Sequence, residues 1–386
     1  MANVLLGVCA SVAIYKSCDI IRELTKKGHQ VRVIMTPASA SLISPTLFSS
    51  LCDFPAYVDW SLDPLAHINL PRWCDAFLIA PCSINTISKI ALGIGDNLLT
   101  SSILAHSGKL LIAPAANTQM LKKPIIKKHL RLLSKFATII DPQEGQLVCK
   151  EYGEGKLAPT ELICSYVERA VSSQTLKNKR FLIALGATEE PIDSVRVISN
   201  LSSGKMGIEI ARQLWLRGAD IQIVAGKTSM PVPKEFKTHH IRTSSEMLKA
   251  LLELSKDADC LIMPAAVSDF RPKIKSSKKI ERSNSLILEL EPTQDIISTI
   301  RMQYKDLFIL GFALEEPENI YSRAKQKLND KNLNAIVANT TSSIGSERID
   351  GFLLTTMEKI DLKGPKEDAA KVIASWLEKK LGAEGI

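Results

Sequence analysis

GATEEPIDSVRVISNLSSGKMG, residues 186–207, follows an apolar run at 181–185 and leads into an amphipathic segment at 206–217. An apolar run, a glycine (Gly186), a polar loop and a helix start form the strand–loop–helix order of an α/β unit. The loop carries Asn200, the adjacent Ser202 and Ser203, and a Gly204-Lys205 pair at the helix start. Backbone amides at a helix N-terminus, with a lysine beside them, hold anionic groups such as phosphate. Taken alone, Ser202-Ser203-Gly204 favour a turn with an ordinary helix cap. The run is neither GxGxxG nor GxxxxGK[ST], so its spacing excludes a generic dinucleotide loop or P-loop.

The same rhythm continues downstream. Apolar runs at 221–224, 260–263, 307–310 and 335–338 predict strands, and periodic segments at 245–254, 295–303, 317–331 and 366–381 predict helices. AAVSDF, residues 265–270, puts Asp269 in a loop after a strand, a place for metal or ribose contact. Residues 273–285 are rich in Lys and Ser and read as a mobile loop carrying Lys279. Lys327 and Lys331 share one face of a predicted helix. Two like charges there oppose each other by roughly 0.2–0.5 kcal/mol unless an anion neutralises them, although a solvated face produces the same spacing.

Upstream, residues 172–179 are polar and aperiodic and read as a linker. Before them lies a second α/β pattern. Residues 4–8 predict a strand, Ser11 a helix cap, 14–24 a helix, Lys26-Lys27-Gly28 its basic last turn and C′ glycine, and 30–35 the next strand. Right-handed crossover places the first loop at the carboxyl edge of a parallel sheet. Strands at 76–80, 109–113 and 137–140 and helices at 84–92, 97–104 and 162–171 continue the alternation. The predicted fold class is α/β, with two doubly wound domains at 1–175 and 176–386.

Polar residues cluster at the expected strand ends of the first domain: Ser11, residues 36–39, and Ser83 with Asn85. Such loops converge on the crevice of an open sheet and suit a phosphorylated cofactor, while each taken singly is a helix cap. His67 falls in a loop segment at 64–73, Asn117 follows the fourth strand, and Cys149 sits in a glycine-punctuated loop. A loop cysteine is more reactive than a core one. Cys9, Cys18, Cys74 and Cys260 lie in apolar company and read as packing.

Composition narrows the class. With 386 residues, 45% hydrophobic and 23% charged, the chain is that of globular domains and not of a disordered segment. The net charge of +8 is dispersed, and with 5% aromatic residues it does not make a nucleic-acid stripe. Eight cysteines contain no CxxC pair, as expected for reduced thiols in the cytoplasm. No run reaches the length of a membrane span and the N-terminus lacks a basic n-region, so neither anchor nor signal is expected.

GVCASVAIYK, AHINLPRW, APCSINTISKIALGIGDNLLT and PAANTQM, in this order within residues 1–165, resemble the flavin-containing cysteine decarboxylases. The resemblance implies a flavodoxin-like fold and a homo-oligomer with FMN held between subunits. It also implies oxidation of the cysteinyl side to a thioaldehyde, whose thiocarbonyl is the electron sink for loss of carbon dioxide before the enethiol is re-reduced. It makes His67 the active-site histidine, Asn117 the residue that takes the substrate carboxylate, and Cys149 the acid that protonates the enethiol. Ser11, Thr36, Ser83, Asn85 and Asn97 keep the flavin-contact pattern, whereas Ala10 replaces the usual Gly and Ala116 the usual Met.

The stretch at 186–207 and the residues after it resemble, across 180–380, the CTP-using phosphopantothenate–cysteine ligases. That resemblance implies a Rossmann-like, dimerising domain that needs Mg²⁺. The 4'-phosphopantothenate carboxylate attacks CTP, and the amine of L-cysteine then displaces CMP from the acyl-cytidylate. Asn200 matches the residue of the acyl-cytidylate step. Gly186, Ser202, Ser203, Gly204, Lys205, Met263, Pro264 and Ala265 match substrate and nucleotide contacts. So do Asp269, Lys279, Gln294, Asp295, Ile296, Ile297, Phe312, Lys327 and Lys331, with Asp269 also the candidate metal contact. Gln294 replaces the usual Pro, and Glu281 and Arg282 stand where a Lys pair is common.

The two resemblances together imply a bifunctional family of coenzyme A biosynthesis, in which the second domain ligates and the first decarboxylates to 4'-phosphopantetheine. The implied assembly is a cytoplasmic homo-oligomer, decarboxylase trimers linked by ligase dimers up to a dodecamer. A non-catalytic flavoprotein module and a two-domain flavin reductase are the alternatives. Joint presence of His67, Asn117 and Cys149 argues against the first, and lack of GxGxxG against the second.

Overall fold

A computed structural model describes residues 1–146, 151–281, 286–343 and 345–382, so Cys149 and Arg282 lie outside the described residues. The chain separates into two compact units, Met1–Ser172 and Ser173–Ile386.

In the first unit, β1 (Asn3–Val8), α1 (Lys16–Lys26) and β2 (Gln30–Met35) form the opening βαβ unit. Helices α2 (Pro37–Ala40), α3 (Pro45–Cys52) and α4 (Ala66–Trp73) lead to β3 (Ala76–Cys82). Next come α5 (Ile84–Leu92), α6 (Leu98–Ala105) and β4 (Lys109–Pro114), then α7 (Thr118–Lys122), α8 (Pro124–Leu133) and β5 (Ala137–Ile139). An antiparallel hairpin, β6 (Gln143–Gln146) and β7 (Tyr152–Lys156), precedes α9 (Thr160–Val171).

Among the described residues the parallel strands run β2-β1-β3-β4-β5, the flavodoxin-like order, which switches direction between β1 and β3. Side-chain alternation divides the core into two layers. Val4, Leu6 and Val8 pack with Ile20, Ile21 and Leu24 of α1, while Leu5, Phe77 and Ile79 pack with Leu99 and Ile103 of α6. Residues 64–73, expected as a loop, instead contain α4. Asp63 accepts the Leu65 N–H and the Asn69 amide, both at 2.8 Å, and Ala66 and Leu70 pack inward, which organises the turn into a helix.

The expected linker, all but Ser172, belongs to the second unit. Leu176 is fully buried, its N–H donates to the Arg217 carbonyl at 2.9 Å, and the Thr175 hydroxyl bonds Glu378. One apolar residue in a polar run has no periodicity to betray it. From there β8 (Arg180–Leu185), a small antiparallel pair β9 (Glu189–Pro191) and β10 (Val197–Ser199), and α10 (Lys205–Leu216) succeed one another. Strands β11 (Asp220–Ala225) and β12 (Lys237–His240), helix α11 (Ser244–Ser255) and β13 (Cys260–Met263) come next. Strands β14 (Phe270–Pro272) and β15 (Leu290–Pro292) pair antiparallel, so a two-stranded arm bounds the Lys/Ser-rich stretch. The chain then runs through α12 (Ile296–Gln303), β16 (Phe308–Glu315), α13 (Ile320–Asp330) and β17 (Ala335–Thr340). Strands β18 (Arg348–Leu354) and β19 (Lys359–Pro365) precede α14 (Lys366–Leu381).

The sheet order is β12-β11-β8-β13-β16-β17-β18-β19. Its first six strands are parallel in the Rossmann order, with the switch between β8 and β13. Strands β18 and β19 add to the edge antiparallel, which the repeating strand–helix rhythm did not announce. Among the described residues no helix is long and apolar enough to cross a membrane.

Candidate active sites

In the first unit the carboxyl ends of the strands carry hydroxyls that cap the adjoining helical turns. Ser11 accepts the Ala13 N–H at 3.2 Å, Thr36 the Ser39 N–H at 3.2 Å, and Ser83 the Thr86 N–H at 3.3 Å. Each bond is local, a side-chain oxygen reaching an amide two or three residues on. Asn97 and Thr100 form a capping box at α6, and Asn85 is exposed in the first turn of α5. Because β1 and β3 flank the switch point, Ser11 and Ser83 stand at the crevice itself. Beneath them, Cys9 and Cys82 are fully buried. A hydrogen bond with Cys82 holds the Cys9 thiol below its ordinary range against the opposing effect of burial, while burial pushes Cys82 well above it.

Ser11 and Asn117 line one cavity of about 980 Å³. Its wall includes Lys16 and Arg22 of α1, Gln143 and Gln146 of β6, and Lys156 of β7. His67, Thr36, Ser83, Asn85 and Asn97 do not line it. The hairpin residues were not foreseen, since QEGQ and YGEGK carry no apolar alternation. Val12 and Tyr15, 63% and 59% exposed, present apolar surface to the same cavity. Hydroxyl and amide donors at the switch point, next to uncovered apolar surface, fit a phosphorylated flavin.

Two side chains have defined orientations. Asn117 caps α7, its Oδ1 accepting the Gln119 N–H at 2.8 Å, which leaves Nδ2 to donate to Glu151 at 3.0 Å. His67 accepts the Trp60 indole N–H on Nδ1 at 3.0 Å, so the hydrogen of the neutral ring sits on Nε2.

In the second unit residues 186–207 occupy the switch point. Gly186 follows β8 directly at φ +80°, and a Cβ there would meet the Lys227 carbonyl at 2.7 Å, so only glycine fits. Met263 ends the neighbouring β13, Pro264 and Ala265 follow it, and the Ala266 N–H donates to the Gly186 carbonyl at 2.9 Å. Asn200 is exposed and its Nδ2 donates to the Val267 carbonyl at 2.9 Å, fastening the loop to the end of β13. Ser203 accepts the Lys205 N–H at 3.3 Å, Ser202 the Gly204 N–H at 3.4 Å, and Gly204 is the N-cap of α10. The Lys205 ammonium pairs with Glu347.

Lys327 and Lys331 do not face each other unpaired: Lys327 meets Glu315 at 2.6 Å and Lys331 meets Asp295 at 2.9 Å. Asp295 caps α12 through the Ser298 N–H at 3.0 Å. Burial opposes its ionisation, but the Ser298 amide and Lys331 outweigh that and keep its carboxyl below the usual range. Ile296 is buried, Ile297 and Phe312 are half-buried, and Gln294 is exposed. Asp269 and Lys279 are exposed on the arm side. Next to Lys279, the Ile280 N–H donates to Asp193 at 3.1 Å and its carbonyl accepts from Arg196 at 3.1 Å. Asp193 and Arg196, both within 186–207, therefore clasp the arm; no local pattern announces that long-range bond. Among the described residues no group of three or more His, Cys, Asp or Glu could hold a metal ion.

Residues 1–172 match the family model described as Flavoprotein, and residues 176–381 match the DNA/pantothenate metabolism flavoprotein C-terminal domain. The Coenzyme A biosynthesis bifunctional protein CoaBC of Borreliella burgdorferi is 35% identical over 384 residues, covering 97% of this chain and 98% of its own. The chain belongs to the coenzyme A biosynthesis bifunctional protein family. The member from Bacillus subtilis is 34% identical over 354 residues, with 89% of this chain and 87% of its own covered. A solved C-terminal domain of a CoaBC protein is 33% identical, spans 54% of this chain and 98% of its own, and has a TM-score of 0.47. In this family member the two switch-point crevices thus lie in separate units of one chain.

Proposed function

We propose that the chain is a bifunctional enzyme of coenzyme A biosynthesis. Its second unit joins 4'-phosphopantothenate to L-cysteine using CTP, and its first unit decarboxylates the product to 4'-phosphopantetheine using FMN. The observation that carries this reading is the relationship to CoaBC along nearly the whole length of both chains, spanning both crevices.

Ligation brings an anionic carboxylate to an anionic triphosphate, so the site must supply fixed positive and dipolar groups. The N-terminus of α10 with Ser202, Ser203, Gly204 and Lys205 suits phosphate oxygens. Lys279 supplies an exposed cation, and Lys327 and Lys331 supply two more once they turn from Glu315 and Asp295 to the ligand, with Gly186, Met263, Pro264, Ala265, Asp269, Gln294, Asp295, Ile296, Ile297 and Phe312 forming the walls around the nucleotide. Asn200, tethered to Val267, has a neutral amide that donates to a developing oxyanion without titrating. Mg²⁺ would be held by the triphosphate oxygens, with Asp269 the candidate protein contact.

For decarboxylation, Ser11, Thr36, Ser83, Asn85 and Asn97 would hold FMN, which when bound supplies the two-electron oxidation of the cysteinyl side and later returns the electrons. Asn117 offers amide hydrogens to the substrate carboxylate. His67 presents Nε2–H, and Cys149 protonates the enethiol. The Ser11–Asn117 cavity contains neither His67 nor the other flavin contacts, as expected of a site completed between the subunits of a homo-oligomer; trimers joined through ligase dimers in the cytoplasm belong to the same reading.

Purified protein should be yellow and should release pyrophosphate from CTP only when both 4'-phosphopantothenate and cysteine are present. It should also release carbon dioxide from supplied 4'-phosphopantothenoylcysteine. Colour without pyrophosphate release, or oxidation of NADH in its place, rejects the reading.

A further inference from the structure

We infer that Glu151 is a displaceable stand-in for the substrate carboxylate, so that substrate and decarboxylated product meet different barriers at Asn117. This rests on Asn117 being the carboxylate contact of the first unit.

The geometry is set by the cap. Asn117 Oδ1 is committed to the Gln119 N–H at 2.8 Å, so rotating the amide would break the start of α7. The face left for a ligand is therefore Nδ2, a pure donor, which selects an acceptor. A carboxylate already sits there: Glu151 Oε2 accepts from Nδ2 at 3.0 Å. Glu151 reaches it from an exposed position in the residue just before β7, 34 residues away in sequence. The wall of the cavity that Asn117 lines continues along the same hairpin in Gln146, Gly155 and Lys156.

A substrate whose carboxylate takes the Nδ2 hydrogen that Glu151 holds must move Glu151 aside, and it then brings two negative charges close together. A product that lacks the carboxylate leaves the Asn117–Glu151 bond intact. Glu151 thus raises the free energy of the substrate complex but not of the product complex. Once carbon dioxide has left, its carboxylate returns to the vacated amide, so that the donor is not left unpaired.

The full-length protein loaded with FMN provides the test, using Glu151→Gln and Glu151→Ala. For supplied 4'-phosphopantothenoylcysteine, KM should fall about three- to tenfold in both variants, the scale of one charge-assisted bond in a wet site, with kcat within about twofold. Inhibition by 4'-phosphopantetheine should be unchanged. Asn117→Ala, measured alongside, should raise KM for the carboxylated substrate. Unchanged or raised KM in both Glu151 variants, or equal shifts for substrate and product, overturns the role of Glu151 when Asn117→Ala is impaired. An unaffected Asn117→Ala variant overturns the reading of Asn117 itself.

Discussion

Trp60 donates its indole N–H to Nδ1 of His67 at 3.0 Å, and the two rings meet edge to face with centroids 6.2 Å apart. The bond holds one tautomer of the neutral ring and its orientation together. Trp60→Phe keeps an aromatic edge but removes the donor. Decarboxylation should slow about tenfold, part of the 10²–10⁴ that a positioned acid or base contributes. Substrate KM should change little. Stopped-flow traces of carbon dioxide release would measure it, and an unchanged kcat would mean that Nδ1 needs no partner.

Asn200 is held by the Val267 carbonyl at 2.9 Å, a contact that requires a donor. Asn200→Asp places a carboxylate against that carbonyl and beside the incoming anions. Pyrophosphate release from CTP should drop about 100-fold or more, as when an oxyanion donor is removed. Decarboxylation of supplied intermediate should persist. If a folded variant lost both activities, separate sites could not be maintained.

Asp193 is 2% exposed and accepts N–H groups of Val195 and Arg196 at 2.7 Å and of Ile280 at 3.1 Å, besides its pair with the Arg196 guanidinium at 2.6 Å. These bonds, the Arg196 amide first, hold its carboxyl well below the usual range. A depressed folded pKa contributes stability that is complete above the unfolded value of about 3.9 and is lost as pH falls toward the folded value. Asp193→Asn should therefore melt earlier than wild type near neutral pH, and the gap should narrow below about pH 3.9. Calorimetry across that window decides it; a gap that persists undiminished in acid would assign the loss to something other than charge.

Gly155 has φ +147°, and a Cβ there would lie 2.1 Å from the Ala116 carbonyl oxygen. Its own carbonyl accepts the Ala116 N–H at 3.1 Å, so β7 lies directly on the segment that ends in Asn117. Gly155→Ala must push that backbone contact apart, costing the first unit about 2–4 kcal/mol from overpacking and strain. Decarboxylation should fail while CTP-dependent pyrophosphate release continues. Full decarboxylation in the variant would show that the hairpin need not dock there.

Much of the fold was legible because its causes are local. The helices at 84–92 and 366–381 and the strand at 260–263 have the expected bounds. Other elements differ mainly at their ends, where capping extends or trims a turn. The hairpin β6–β7 and the edge strands β18 and β19 were not legible. QEGQ and YGEGK hide no apolar face, and antiparallel pairing at a sheet edge follows no helical crossover. At the candidate sites the polar residues at strand ends could be named, but not what each would touch.

The sequence alone determined the α/β alternation and the caps at Ser11, Thr36 and Ser83, because those depend on bonds spanning two or three residues. Through its order of motifs it also determined the family. Only the tertiary structure decided that Asn117 meets Glu151, that Lys331 meets Asp295, and that Asp193 grips Ile280. Those partners lie 34, 36 and 87 positions apart. They come together only when packed strands and helices close the intervening chain, which no local pattern encodes.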